Sequence, residues 1–179
     1  LTAQRARRAW TGGIVCNPNC TATILALALA PLHEAFGVEA VSLVSMQAIS
    51  GAGYPGVASL DILGNVIPFI RGEEEKVGYE TNKLLGRFTA GAVEPASIVH
   101  STSCNRVAGE DGHTLAVSVR LRGAPSIDAV RAAFARWHPL HEAKLHSAPE
   151  TPIVVHSAED RPQPRRDVDA GDGMLVHVG

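Results

Sequence analysis

Residues 17–47 read NPNCTATILALALAPLHEAFGVEAVSLVSMQ and predict a buried helix followed directly by a strand. Residues 21–36 carry apolar side chains on nearly every side, which is typical of a helix in a protein core. Gly37 suits the left-handed cap that closes such a helix, and the β-branched residues within 38–49 favour a strand. Asn19 is a suitable N-cap, because its side-chain oxygen can accept a backbone N–H of the first turn.

The rest of the chain mixes helical and extended patterns without strict βαβ alternation. Helices are predicted at residues 1–8, 72–85 and 126–137, strands at 97–103, 115–121, 153–155 and 174–179, and loops at 50–56 and 162–172. This mixture predicts an α+β fold, with a mostly antiparallel mixed sheet and helices on one face.

Composition indicates one globular domain and excludes several partner classes. The 179 residues are 45% hydrophobic and 19% charged, and the net charge of −2 offers no broad basic surface for nucleic acid. The longest apolar stretch, residues 24–32, is too short to span a bilayer, so no membrane partner is expected. Three cysteines make an odd count, which argues against a disulfide framework and favours a reducing, cytoplasmic setting.

Cys20 is the candidate nucleophile, because it lies in the first turn of the predicted helix. There the helix dipole favours a thiolate, which covalent catalysis requires. A buried, inert cysteine is the alternative, and for a single cysteine it is the commoner case. Three other residues are candidates for the same site: Gln47, Arg106 and His113. Gln47 offers an amide at a strand end, Arg106 a guanidinium that could bind a carboxylate, and His113 an imidazole that could act as a base. Each of them also suits a purely structural position.

No metal site is predicted. Cys16 and Cys20 form a single Cys-x-x-x-Cys pair without a second pair, and the histidines within residues 138–146 are separated by Pro139, which favours a solvated helix end over a zinc site. The glutamates at 73–75 are interpreted as the solvated start of a helix, since acids suit a first turn. Cys104 is interpreted as a small packed residue.

Six segments resemble those of aspartate-semialdehyde dehydrogenases in order and spacing, and the resemblance covers essentially the whole chain. They are GIVCNPNCT (13–21), MQAISGAGYPG (46–56), GEEEK (72–76), ETNK (80–83), SCNRV with His113 (103–113) and EDRPQPR (159–165). The sequences of these segments are most similar to those of the archaeal and fungal branch. The resemblance implies the catalytic and dimerisation domain of a glyceraldehyde-3-phosphate-dehydrogenase-like fold. Residues 1–179 would form this single domain, with the family's N-terminal dinucleotide-binding domain and closing C-terminal helix absent.

The resemblance also assigns roles to individual residues. Cys20 would carry an acyl thioester and His113 would be the acid/base. The substrate-binding residues would be Gln47, which orients the substrate, Glu80, which meets its amine, and Arg106, which binds its carboxylate. The phosphate would be held by Asn19 and Lys83, and the nicotinamide end of the cofactor would approach Ser50 and Gly51.

The implied reaction is the NADPH-dependent reductive dephosphorylation of aspartyl phosphate to aspartate semialdehyde, in lysine, threonine and methionine biosynthesis, by a homodimer or homotetramer. NADP would be bound mainly by the absent domain, since the chain has no strand–GxGxxG–helix unit, and the 179 residues alone are not expected to turn over. Two alternatives stay open. A related acyl-CoA reductase, such as malonyl-CoA reductase, would differ at Glu80 and Arg106, and a non-catalytic dimerisation module would have an unreactive Cys20.

Overall fold

A computed structural model describes residues 2–139 and 145–179, and in this part of the chain it contains six α-helices and seven β-strands. The helices are α1 (Thr2–Arg8), α2 (Cys20–Phe36), α3 (Ser59–Ile62), α4 (Glu73–Leu84), α5 (Ile127–Arg136) and α6 (Pro164–Asp167). The strands are β1 (Val38–Gln47), β2 (Arg87–Thr89), β3 (Ala92–Glu94), β4 (Val99–Arg106), β5 (Thr114–Leu121), β6 (Ile153–Val155) and β7 (Val176–Val178).

The main sheet has three strands in the order β4-β1-β5, with β1 parallel to β4 and antiparallel to β5. Two smaller sheets pair β2 with β3 in antiparallel and β6 with β7 in parallel orientation. The α+β fold with a mixed sheet is confirmed, although the strand pairs divide evenly between the two orientations. The parallel pair arises because α4 lies in the connection between β1 and β4 and returns the chain in the same direction.

Helix α2 is capped at its start by Asn19 as the sequence predicts, whereas Gly37 at its end combines a positive φ with a ψ of 115° and is not the predicted left-handed helical cap. The Ala22 N–H donates to Asn19 Oδ1 at 3.0 Å, and Gly37 ends the helix at a φ of 75°. Its inner face buries Leu25 and Leu29 against β1, where Leu43 is also fully buried. Full burial of one leucine side chain contributes about 2 kcal/mol to folding, so these buried leucines stabilise the packing of the helix on the sheet.

The strand register brings the ends of three strands together at one edge of the sheet. Gln47, the last residue of β1, lies beside Arg106, the last residue of β4. On the other side, Met46 lies beside Thr114, the first residue of β5. Residues that end β1 and β4 therefore share this edge with the loop that leads into β5.

Most predicted elements are confirmed to within about two residues, and the exceptions have local causes. The β2–β3 hairpin turns through Ala90 and Gly91, both at positive φ, and Ala-Gly is not a recognisable hairpin signal. Helix α6 is a single turn inside the loop predicted at 162–172. His141, part of the histidine cluster considered above, lies outside the described residues. In the part of the chain that the structure describes, no helix is long and apolar enough to cross a membrane.

Candidate active site

Cys20 and His113 meet at the edge of the sheet where the strands end. Cys20 is the first residue of α2 and is exposed, and its Sγ lies 3.2 Å from His113 Nε2. The backbone N–H groups in the first turn of a helix have no intrahelical acceptor and attract negative charge. The thiol therefore lies beside an imidazole and at the positive end of a helix dipole, as a thiolate nucleophile requires.

The hydrogen bonds of His113 assign its tautomer. The Ala48 N–H donates to His113 Nδ1 at 3.2 Å, so the ring proton of the neutral imidazole is on Nε2. The Nε2–H group then donates to Cys20 Sγ. In this arrangement His113 stabilises a thiolate by hydrogen bonding. Taking up a proton at Nε2 would require the other proton to be on Nδ1, at the expense of the Ala48 contact.

His113 is held in its neutral form. Burial lowers the pKa of His113, and the nearby Arg106 guanidinium lowers it further, whereas the Glu73 carboxylate acts in the opposite direction. A histidine with a lowered pKa is neutral throughout the physiological range. The neutral state agrees with the tautomer, because a protonated ring would direct an N–H at the Ala48 N–H.

Arg106 is a buried cation suited to an anionic ligand. Its side chain is 6% exposed, and its Nη1 donates to the Ala48 carbonyl at 2.8 Å. Within residues 2–139 and 145–179, no carboxylate lies within ion-pair distance of it. A buried charge without a counter-charge is costly, and a bound carboxylate would offset that cost. The two sides of the Ala48 residue, its N–H and its C=O, thus position His113 and Arg106 respectively.

Glu73 connects the remaining residues of the site. Its carboxylate accepts from Asn19 Nδ2 at 2.9 and 3.0 Å and from Gln47 Nε2 at 3.2 Å. The interpretation of residues 73–75 as a solvated helix start is therefore wrong for Glu73, and also for Glu74, whose Oε1 accepts from the Cys104 N–H at 3.1 Å. Both glutamates are half-buried because α4 begins against α2 and the end of β4.

A sequence signal for Glu73 exists, because Glu73 and Glu80 are seven residues apart and lie on the same face of α4. Glu80 Oε2 accepts from the Asn19 N–H at 2.5 Å, so both acids contact the residue before the nucleophile. Asn19 Oδ1 caps α2 and its Nδ2 bonds Glu73, so its predicted phosphate contact would have to share that amide. Cys104 is fully buried, as expected of a packed residue, and burial raises the pKa of its thiol.

Lys83 and Ser50 are both exposed. Lys83 lies in the last turn of α4, one turn beyond Glu80. Ser50 lies in the turn Ile49–Ala52, whose backbone is held by the Ser50 N–H donating to the Glu110 carbonyl at 3.1 Å. Their roles with phosphate and nicotinamide stay predictions.

Gly51 lies against both Arg106 and His113. A Cβ atom at this position would be 2.9 Å from Arg106 Nη1 and 2.9 Å from His113 Cε1, both closer than van der Waals contact. Gly51→Ala is therefore expected to displace one of these side chains and to lower kcat/KM about 100-fold, since a shift of about 1 Å has that cost. Steady-state kinetics of the full-length protein would measure this loss.

The matched control is Gly109→Ala, because a Cβ at Gly109 has no heavy atom within 4 Å and this glycine has no positive φ. The control is expected to keep the activity of the unmodified protein. Equal kinetics for the two variants would contradict the close approach at Gly51.

The comparison with protein families identifies the domain. The family described as "Semialdehyde dehydrogenase, dimerisation domain" matches residues 29–179. The chain belongs to this family. Among curated relatives, the aspartate-semialdehyde dehydrogenase of Methanothermobacter thermautotrophicus is 49% identical over 180 residues, covering 100% of this chain and 52% of the relative. That of Archaeoglobus fulgidus is 50% identical over 179 residues, covering 100% of this chain and 51% of the relative.

Solved structures agree with this semialdehyde dehydrogenase assignment. The crystal structure of aspartate semialdehyde dehydrogenase with NADP from Candida albicans superposes with a TM-score of 0.83 at 39% identity, covering 95% of this chain and 49% of that chain. The resemblance noted from the six segments is confirmed. The chain spans about half the length of the relatives it matches.

Proposed function

We propose that this domain supplies the nucleophile and the substrate-binding groups of an aspartate-semialdehyde dehydrogenase. The observation that carries the proposal is the 3.2 Å contact between Cys20 Sγ and His113 Nε2, next to the buried Arg106. The full-length protein would reduce aspartyl phosphate to aspartate semialdehyde. The similarity to archaeal and fungal enzymes of that name supports this substrate, and it also supports the biosynthesis of lysine, threonine and methionine as the setting.

Cys20 would attack the acyl carbon of aspartyl phosphate as a thiolate. The carbon–sulfur bond forms first and gives a tetrahedral adduct, and the carbon–oxygen bond to phosphate then breaks, which leaves a thioester on Cys20 and releases inorganic phosphate. The orphan N–H groups at the start of α2 are placed to stabilise the oxygen of the tetrahedral adduct. Addition of a hydride to the thioester gives a thiohemiacetal, and its collapse releases the aldehyde and restores the thiolate.

His113 would donate a hydrogen bond first to the sulfur of Cys20 and then to the substrate oxygen. Its Nε2–H already donates to Sγ, and a small displacement lets the same proton bond the oxygen of the adduct. The Ala48 N–H holds the ring in this orientation. We therefore infer that His113 works first as a hydrogen-bond donor, and that the predicted acid/base role involves release of the Ala48 contact.

The substrate's polar groups would be divided between α4 and β4. Arg106 has no carboxylate partner among the described residues and would bind the α-carboxylate of the substrate. Glu80 uses Oε2 for the Asn19 N–H, which leaves Oε1 for the substrate amine. Gln47 is 1% exposed and fixed by Glu73, so it would shape the site from beneath. Lys83 would reach the phosphate.

NADPH would supply the hydride when bound. Its nicotinamide end would approach the turn that contains Ser50 and Gly51, because the absence of a side chain at Gly51 keeps the space beside His113 open. The remaining contacts of NADP would come from a dinucleotide-binding domain outside residues 1–179.

A dimer is proposed for the face of the main sheet that faces away from α2. Most exposed side chains of this face are small or apolar, with Arg120 opposite Ala40 as a charged exception, and such a face suits a two-fold contact between copies. The small or apolar side chains are those of Ser42, Val44, Val99, Ser101, Ala116 and Ser118. The homodimer, the homotetramer and the cytoplasmic location stay predictions.

The experiment compares substrates and the Arg106 position in the full-length protein. NADPH oxidation with aspartyl phosphate is expected to exceed that with malonyl-CoA by about 100-fold or more in kcat/KM, because an acyl-CoA has no α-carboxylate and amine pair. Arg106→Leu is expected to raise KM for aspartyl phosphate and lower kcat/KM by about 100-fold or more, through loss of a charge-assisted bidentate contact.

Arg131→Leu is the control, because Arg131 is exposed on α5, outside both the site and the proposed dimer face. Its kinetics should match those of the unmodified protein. Preference for malonyl-CoA would instead assign the chain to an acyl-CoA reductase. Loss of all activity with every acyl substrate, in protein whose Cys20 reacts slowly with thiol reagents, would assign a non-catalytic dimerisation module.

A further inference from the structure

A second cluster of chemically active side chains lies where the last strands pair. His156 directly follows β6, His177 lies in β7, and Asp167 is the last residue of α6. His156 Nε2 and His177 Nδ1 lie 2.9 Å apart, and the two rings stack with centroids 5.2 Å apart. Two imidazoles that direct ring nitrogens at one another share at most one proton, so both lone pairs become available to a ligand only when that proton leaves.

Asp167 adds a carboxylate to the two imidazoles. Its Oδ1 lies 3.8 Å from His177 Nδ1 and 4.0 Å from His156 Nε2, and its side chain is only 6% exposed. Arg161 donates to both oxygens, and the Gln163 N–H donates to Oδ2 at 2.6 Å. These hydrogen bonds from a guanidinium and a backbone N–H hold the carboxylate in place beside the two rings.

We propose that His156, Asp167 and His177 form a binding site for a divalent transition-metal cation of the zinc class. From the separations of 2.9, 3.8 and 4.0 Å, a point equidistant from the three ligand atoms lies about 2.1 Å from each, which matches zinc–nitrogen and zinc–oxygen bonds. Two neutral imidazoles and a carboxylate are also the ligand types that zinc accepts. The cation would take the place of the proton between the two rings.

The surroundings provide an outer shell and a path of entry. Arg161 and the Gln163 N–H orient the carboxylate, as hydrogen-bond donors behind a metal ligand commonly do. The positive charge of Arg161 opposes a cation, which limits the expected affinity to the micromolar range. Asp167 and His177 also line a cavity of about 630 Å³ between α2, β5 and the end of the chain. A water molecule in this cavity would complete the coordination.

The bound cation would connect β6, α6 and β7, which are short elements with few contacts of their own. β6 and β7 pair over only three residues each, and α6 has four residues. Sequence spacing conceals this site, because its ligands are about ten residues apart and belong to no zinc motif. Binding to the folded state alone would stabilise the protein against heat.

The test uses the full-length protein carrying Cys16→Ser and Cys20→Ser, so that the two exposed thiols cannot bind metal. Titration with Co²⁺, followed by its visible absorption, and with Zn²⁺, followed by calorimetry, should show micromolar binding. Saturating Zn²⁺ is expected to raise Tm by about 2 °C or more, reversibly with EDTA. His156→Gln and His177→Gln should each weaken binding about 100-fold. His146→Gln, at an exposed histidine outside the cluster, should leave it unchanged.

Equal affinity in the cluster variants and the control would overturn the proposal and leave a plain hydrogen-bonded network. If circular dichroism shows that either variant does not fold, the site is tested by histidine modification in the protein that carries only Cys16→Ser and Cys20→Ser. Zinc should slow the carbethoxylation of His156 and His177 at least about tenfold, measured on peptides by mass spectrometry, because a metal-bound nitrogen cannot react. An unchanged rate at these two residues would refute the site.

Discussion

Cys20→Ala in the full-length protein is expected to lower kcat for aspartyl phosphate reduction by about 10⁴-fold or more, because the proposed mechanism forms its thioester on Cys20. The measurement is NADPH oxidation under saturating substrate, together with mass spectrometry of the trapped acyl-enzyme. The unmodified protein should gain the mass of an aspartyl group and the variant should not. Cys20 is exposed and lies at a helix start, so the variant should keep its Tm within about 2 °C.

Cys16→Ala is the matched control, because Cys16 is a second exposed free thiol four residues earlier. It should retain full activity and full acyl-enzyme formation. Near-normal turnover by the Cys20 variant would show that another residue is the nucleophile, and the proposed function would then lose its main support.

His113→Leu is expected to lower kcat/KM by about 10³-fold, since it removes the group that contacts Cys20 Sγ. His113→Gln keeps an N–H donor and should lose clearly less, about 100-fold, if the main role of Nε2–H is donation. Equal losses in the two variants would favour full proton transfer instead. A loss below about threefold in His113→Leu would exclude His113 from the chemistry.

The pH profile gives a second measurement of His113. Its pKa is lowered, so the imidazole is neutral above about pH 6.5, and activity should fall only as the pH drops through this lowered pKa. Protonation places an N–H against the Ala48 N–H and removes the resting hydrogen bond. This acid limb should disappear in His113→Gln. The same shift means that His113 contributes stability above the unfolded-state pKa, and that this contribution is lost as the pH falls through the folded-state pKa.

Local signals explain why the sequence predicts the framework of the site. The cap at Asn19, the apolar pattern of α2 and Gly37 are short-range features, and the helix begins and ends where they indicate. The strand that follows is also confirmed, and its β-branched residues Val38 and Val41 are buried in the core. The six motif segments then indicated Cys20, Arg106 and His113 through resemblance, without any knowledge of how they meet.

The contacts that join these residues depend on tertiary packing and have no local signal. In the sequence Glu73 is part of a charged helix start, and only the packing of α4 against α2 places its carboxylate between Asn19 and Gln47. The metal-ligand geometry of His156 and His177 likewise exists only after β6 and β7 pair. Sequence reasoning failed at these places because burial of polar groups is decided by partners distant in the chain.

The backbone of Ala48 holds two side chains of the site, so it sets the length of the substrate that fits between them. Its N–H fixes the imidazole that contacts the attacking sulfur, and its C=O fixes the guanidinium proposed for the substrate's carboxylate. The distance between the substrate's bound carboxylate and its reacting carbon is therefore set by the main chain of one residue. Substitution of a side chain cannot lengthen this distance. A homologous acyl phosphate with one more methylene would displace its reacting carbon by about 1 Å or more, enough to cost about 100-fold in rate. We therefore expect the end of β1 to discriminate between substrates by chain length.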